Sequence, residues 1–297
     1  MVRNTIFFGN GLNYLESNNI SLEKLLTIIK GDKQFESKLL PNTLTYERII
    51  LEKYTGGDIL KDSEYPIKKE IANLLDNVRS DNIYKLLYNL EFENYITTNY
   101  DCGFIDSLLQ LKEINFIDEY TPDSEKIYSI RRVKRISNTK EKKKLLWQIH
   151  GEIRYPATIM LGLDQYRGSI GRIDNYINGN YPNPKNRKEK EVSIEDKFQS
   201  GFTESSWIEL FFNTNIHIIG FSLDFCEIDL WWLLNKRARM KKSGINIENE
   251  IHFYCPKHEI EIQKTELMES FGIIVHTIDI GNNYPDIKFY EKILSNI

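Results

Sequence analysis

The sequence predicts an α/β fold, a mostly parallel sheet with helices on both faces, and three observations predict it. Short apolar runs bounded by turn residues recur along the chain and are too continuous for amphipathic helices. Helical periodicities lie between several of them. Strands apolar throughout that alternate with helices belong to a parallel sheet covered on both sides.

The strand candidates, in order, are "TIFFG", "ENYITTNYD", "KLLWQIHG", "ATIMLG", "NIHIIGFS", "EIHFYCP" and "GIIVHTID". The helix candidates are "SLEKLLTIIK" with Ser21 as its cap, "IKKEIANLLDNV", "NIYKLLYNL", "GFIDSLLQL" and "EIDLWWLLNKRARM". Two stretches break the rhythm and read as insertions into a single domain spanning 1–297. One, about 31–90, is helical; the other, about 118–205, is loop-rich and carries "YINGNYPNPKNRKEK".

With 297 residues, 41% of them hydrophobic, the chain can bury a large core. No apolar run approaches the roughly 20 residues of a membrane span, and the first thirty residues lack a signal-peptide pattern, so a cytoplasmic location is expected. Cys102, Cys226 and Cys255 are widely spaced, which argues against a disulfide framework or zinc knuckle and for reduced, buried thiols. A net charge of −4 gives no global pull toward nucleic acid. The local basic runs "RRVKR" (131–135) and "KEKKK" (140–144) read as a solvated face of a hairpin or loop.

In an open parallel sheet, ligands bind beyond the carboxyl ends of the strands. Four polar clusters fall at such ends. In "GNGLN", Gly9 and Gly11 suit a diphosphate cradle, because glycine permits unusual backbone angles and close approach while following amides meet a phosphate. An ordinary tight turn is the alternative. "TTNYD" places Thr98, Asn99 and Asp101 where a side-chain amide can bond a sugar hydroxyl or water; alternatively Asn99 and Asp101 shape a turn and cap the next helix. His150 ends its strand before Gly151, a position that would expose the imidazole to the cleft as a proton acceptor. His217, His252 and His276 lie inside strand-like runs and read as core histidines. "GFSLDFCEID" offers Gly220 for close approach and Ser222 and Asp224 for sugar or adenine contacts, although Asp224 also suits a helix cap. "WWLL" (231–234) reads as core or an interface seam.

The ordered set "GNGLN", "TTNYD", "IHG", "IMLGLDQY" and "IIGFSLDFCEIDLWWLL" resembles the bacterial sirtuin-like family, the silent-information-regulator-like domain found in NAD-consuming anti-phage defence proteins. The resemblance covers nearly the whole chain. It implies a Rossmann-type domain with an added helical subdomain and NAD bound in the cleft between them. Carried over by motif, Asn99 and His150 are the residues on which NAD cleavage depends, with Asp101 positioned beside them. Gly9, Asn10, Gly11 and Asn13 would line the first loop. Gly220, Phe221, Ser222 and Asp224 would face the adenosine ribose, and Thr98 joins the NAD-binding set. Two departures from protein-deacylating sirtuins stand out: the chain has too few cysteines for their zinc ribbon, and "NYLESNNI" replaces their arginine-bearing "GIPDFR" segment.

The resemblance therefore implies hydrolysis of NAD at the nicotinamide–ribose bond, with NAD as substrate and no metal. Such an activity would need to stay latent until triggered, through homo-oligomerisation or a partner such as a HerA-type ATPase or another defence-system subunit, with "WWLL" and the basic run as docking surfaces. The alternatives are an NAD- or ADP-ribose-sensing subunit without turnover, a nucleic-acid-binding component using residues 131–144, and an NAD-dependent protein deacylase.

Overall fold

The computed structural model describes residues 2–15, 20–33, 35–37, 39–53, 64–78, 81–90, 92–119, 126–138, 143–259, 261–281 and 285–297. Residues 140–142 of the second basic run and 54–63 of the helical stretch lie outside them. An eight-stranded sheet organises the fold. Its strands are β1 (Arg3–Phe8), β2 (Asn94–Thr97), β3 (Ile114–Asp118), β4 (Val133–Asn138), β5 (Lys144–Gln148), β6 (Thr214–Ile219), β7 (Ile251–Pro256) and β8 (Ile273–Ile278). Their spatial order is β3-β4-β5-β2-β1-β6-β7-β8. All pairings are parallel except β3 with β4 and β4 with β5. The order reverses at β1, which has β2 on one side and β6 on the other, so the expected α/β, Rossmann-like architecture is the one observed.

Alternation along β1 feeds two cores. Phe7 joins a cluster with Tyr176, Phe211 and Leu233, from α6 (Leu163–Ile177), α8 (Trp207–Asn213) and α9 (Ile228–Lys242). Ile6 and Phe8 point the other way, toward α4 (Asp81–Tyr88), α5 (Gly103–Leu109) and α11 (Ile287–Leu294), through residues such as Leu87, Phe104 and Phe289. A third cluster joins α1 (Leu22–Lys30), α2 (Asn42–Lys53) and α3 (Glu64–Leu75). Ser21 caps α1 as expected, its hydroxyl accepting from the Lys24 amide at 3.0 Å.

Several expectations need correction. "ATIMLG" is not a strand: a short 3-10 turn, Pro156–Thr158, leads into an extended segment whose Ile159 and Leu161 belong to the third cluster. Its apolar character serves the helical layer. The stretch 118–205 is more ordered than expected, since β4, α6 and α7 (Ile194–Ser200) fall within it beside the expected strand β5.

The run "RRVKR" is not a solvated face. Arg131, Arg132 and Lys134 are each at most 3% exposed. Arg131 pairs with Glu191 at 2.6 Å, Arg132 donates to the carbonyls of Gln148 and Lys126, and Lys134 reaches Asp118 and Glu152. These cations tie the antiparallel edge to the core and are spent inside the molecule. The cysteines are free, but only Cys102 is buried; Cys226 and Cys255 are half-buried. No helix among the described residues is long and apolar enough to cross a membrane.

Candidate functional site

The loops that follow β1, β2, β5 and β6 converge on one cleft of about 930 Å³ at the reversal point. The first loop leaves β1 as a 3-10 turn, Asn10–Leu15. Gly9 and Gly11 do not have positive φ; what they supply is space. A Cβ at Gly9 would meet Phe221 Cβ at 2.7 Å, and one at Gly11 would meet the Gly220 carbonyl oxygen at 2.6 Å. The Gly9 amide donates to the Ile219 carbonyl, the Gly11 amide to Gly220 at 2.7 Å, and the Leu12 amide to Gly9. Three amides of the loop, those of Gly9, Gly11 and Leu12, are thus committed to backbone carbonyls and are not offered to a phosphate. It is Gly220, at φ +56°, that needs the left-handed conformation.

Of the sequence-predicted residues, Asn10, Gly11, Thr98, Asn99, Asp101 and His150 line the cleft on one side. Gly220, Phe221, Ser222 and Asp224 line it on the other. Gly9 and Asn13 do not. Asn13 is fully buried behind the loop, where its amide donates to Asp101 Oδ2 at 3.0 Å and to Asn10 Oδ1 at 2.9 Å, and its carbonyl accepts from the Tyr84 hydroxyl at 2.6 Å. Asp101 Oδ1 accepts the Gly103 amide at 2.8 Å, so this carboxylate both borders the cleft and fastens the start of α5.

Asn99 is held by its backbone, whose amide donates to Thr97 Oγ1 at 3.0 Å. Its side-chain Nδ2 is buried without a well-formed hydrogen bond among the described residues, its one polar neighbour named there being the Tyr84 phenol. A buried, unpaired donor is costly unless a ligand supplies its acceptor. Asp224 accepts the Cys226 amide at 2.8 Å and shapes a turn; the helix cap expected there falls on Glu227 instead. Just before Asp224, Leu223 adopts φ +47° while 1% exposed, a strained conformation of the kind that collects at ligand sites.

His150 departs from expectation. It lines the cleft but is only 1% exposed. Gly151 explains how the chain turns it inward: φ is +101°, and a Cβ there would lie 2.2 Å from the Thr158 carbonyl oxygen. The ring is then held between two carboxylates that sequence reasoning had not selected. Its Nε2–H donates to Asp229 Oδ2 at 3.2 Å, while Nδ1 lies 3.5 Å from Glu227 Oε2. Ser169 donates to the same Asp229 oxygen at 2.7 Å, and the Leu230 amide donates to the other. The Tyr166 hydroxyl donates to Glu227 Oε2 at 3.0 Å, and its ring meets the imidazole edge-on.

Burial alone would lower the pKa of His150, but Asp229, the hydrogen bond to it, and Glu227 outweigh burial and raise it. For Asp229 burial acts upward, yet His150, Ser169 and the Leu230 amide hold its carboxyl below the ordinary range. Glu227 goes the other way: burial, reinforced by Asp229 and Asp224 and opposed by His150 and Tyr166, lifts it to about 7. Ligand atoms of the three residues lie within 4.8 Å of one another. The carboxylates face different ring nitrogens, Glu227 at Nδ1 and Asp229 at Nε2.

The signal that could have exposed this pair is Glu227-Ile-Asp229, two acids bracketing one residue at the start of a helix; as a sequence pattern it reads equally as capping. Beyond β7, the cleft continues along Cys255, His258 and Lys264, with Lys264 donating to the Ser222 carbonyl at 2.7 Å.

A search of curated proteins gives no match to this chain. A comparison with protein families matches residues 93–232 to the SIR2-like domain, a stretch that holds Asn99, His150, Glu227 and Asp229 but not the first loop. SIR2-like domains bind NAD and are typically NAD-dependent enzymes, and over those residues, just under half of its length, this chain is similar to them.

Proposed function

We propose that the protein is an NAD hydrolase that cleaves the nicotinamide–ribose bond to give nicotinamide and ADP-ribose. The observation that carries this reading is the buried Nδ2 of Asn99, which makes no well-formed hydrogen bond among the described residues and borders the same cleft as the His150, Glu227 and Asp229 cluster. Nicotinamide leaves as a neutral molecule, because its ring nitrogen already bears positive charge in NAD. Little covalent assistance is needed; the site must orient the ribose and a water and accept one proton. Asn99 supplies the orienting donor. The cluster of His150, Glu227 and Asp229 supplies the proton chemistry.

We further propose, on the resemblance noted above, that the activity depletes NAD in an anti-phage defence system and stays latent until homo-oligomerisation or a partner subunit releases it. A HerA-type ATPase is one such partner. The test is nicotinamide release from NAD by the purified protein, alone and with the product of its genomic neighbour, beside Asn99→Ala and His150→Ala. Release that both substitutions abolish supports the hydrolase and its site. Tight NAD binding with no release in any combination overturns it in favour of an NAD sensor.

A further inference from the structure

We propose that Glu227 is the group that takes the proton from water at the cleft, and that His150 is the positioning residue behind it. This deepens, and rests on, the NAD-cleavage reading. A histidine acts as a base through a nitrogen that carries no proton and faces the substrate. Here neither nitrogen is free to do so, since Nε2 is engaged by Asp229 and Nδ1 faces Glu227. His150 is 1% exposed, whereas the Glu227 side chain keeps 13% exposure and lines the cleft. Asp229, fully buried and bonded to Ser169 and the Leu230 amide, is turned away from that role. Of the two carboxylates, Glu227 is the one with access.

The groups around Glu227 suit a proton acceptor. They are His150 beyond β5, Asp229 and Asp224 at the start of α9, Tyr166 from α6 and Tyr100 beyond β2. Tyr166 donates to Oε2 and fixes that oxygen, and the imidazole flanks the same atom. The ionised Asp229 favours the charged form of His150, and that charge beside Glu227 opposes the rise that burial imposes on its carboxyl. In the step itself the C1′–N bond breaks with its electron pair leaving on nicotinamide. The water oxygen bonds C1′, and the water proton passes to Glu227.

The test combines turnover with a readout that needs none. Nicotinamide release and NAD affinity are measured on the full chain and on Glu227→Gln, Glu227→Ala and His150→Ala, with and without formate. The protonation of His150 is followed by ¹⁵N NMR between pH 5 and 9. We expect Glu227→Gln to lose about 100-fold or more of the release rate with NAD affinity unchanged. Formate, a small carboxylate, should restore release to Glu227→Ala and not to His150→Ala. At pH 7 both ring nitrogens of His150 should carry protons.

Near-normal release by Glu227→Gln overturns the assignment, as does a His150 nitrogen that is bare at pH 7. Silence of the unaltered chain in every combination sinks the hydrolase reading. The NMR result then judges the Glu227 arrangement alone: a doubly protonated His150 sustains it and a bare nitrogen overturns it.

Discussion

Gly11 donates its amide to the Gly220 carbonyl at 2.7 Å, and these two glycines lock the loop after β1 to the loop after β6. The contact lies at the reversal point of the sheet and sets the floor of the cleft. A methyl at position 11 would sit 2.6 Å from that carbonyl oxygen and 2.8 Å from the Gly220 Cα, both backbone atoms that cannot swing aside. Gly11→Ala is therefore expected to cost about 1–3 kcal/mol through overpacking and to lower NAD affinity by forcing the two loops apart. Calorimetric melting and NAD titration of the same variant check both; a variant as stable and as tight-binding as the parent would remove this contact from the account.

Asn99 sets stability against function. Its Nδ2 is buried and makes no well-formed hydrogen bond among the described residues, so its removal forfeits little there. Asn99→Ala is expected to leave the melting temperature unchanged or raise it, by up to about 1 kcal/mol of relieved desolvation. Nicotinamide release should fall by roughly 10²–10³, the range for deleting one preorganised donor. A marked loss of stability would instead mean that the amide has a structural partner.

The sheet was readable because its central strands are short, apolar on both faces and bounded by turn residues; β2, β5, β7 and β8 fall within predicted runs, and β1 and β6 overlap theirs but start before them. β3 and β4 were not, since the charges of "RRVKR" imitate a solvated loop. Only their distant partners, Glu191, Gln148 and Glu152, show how such a strand is buried. The site was legible at its strand ends but misread in chemistry. Glycines that spare space look in sequence like glycines that spare φ. His150 looked like an exposed base because Glu227 and Asp229, which enclose it, lie 77 and 79 residues further on and resemble helix-capping acids.

Asp229 should be the most costly side chain to remove from the site. It is 0% exposed and neutralises His150, so Asp229→Ala leaves a buried imidazole without its counter-charge, and about 3–5 kcal/mol is the expected loss. The pH dependence has a definite sign. His150 has a folded pKa above its unfolded one, so its contribution is complete below about pH 6.5 and fades as pH rises through the folded value. Asp229 is depressed, so its contribution is present above its unfolded pKa near 4 and fades as pH falls through the folded one. Urea unfolding of the parent and Asp229→Asn should therefore differ most between those limits and converge above the folded His150 pKa. A difference that keeps growing into alkali would contradict the pairing.

A second pH response is expected from the far side of the sheet. His217, His252 and His276 stack across β6, β7 and β8, with ring centroids 4.8 and 5.2 Å apart. His217 Nδ1 meets the Tyr254 hydroxyl at 3.1 Å, and its Nε2 is buried without a partner among the described residues. Burial, then the neighbouring histidines, depress it to about 4, and His252 and His276 are lowered as well. Depressed histidines bind protons more weakly when folded than when unfolded. Their stability contribution is thus present above about pH 6.5 and is lost as pH falls toward the folded values. For His217 the loss is of order 2–3 kcal/mol. His217→Phe fills the stack without a titrating group, so its unfolding free energy should fall less steeply than the parent's between pH 6.5 and 4. Parallel acid limbs for the two proteins would show that these imidazoles titrate as they do in the unfolded chain.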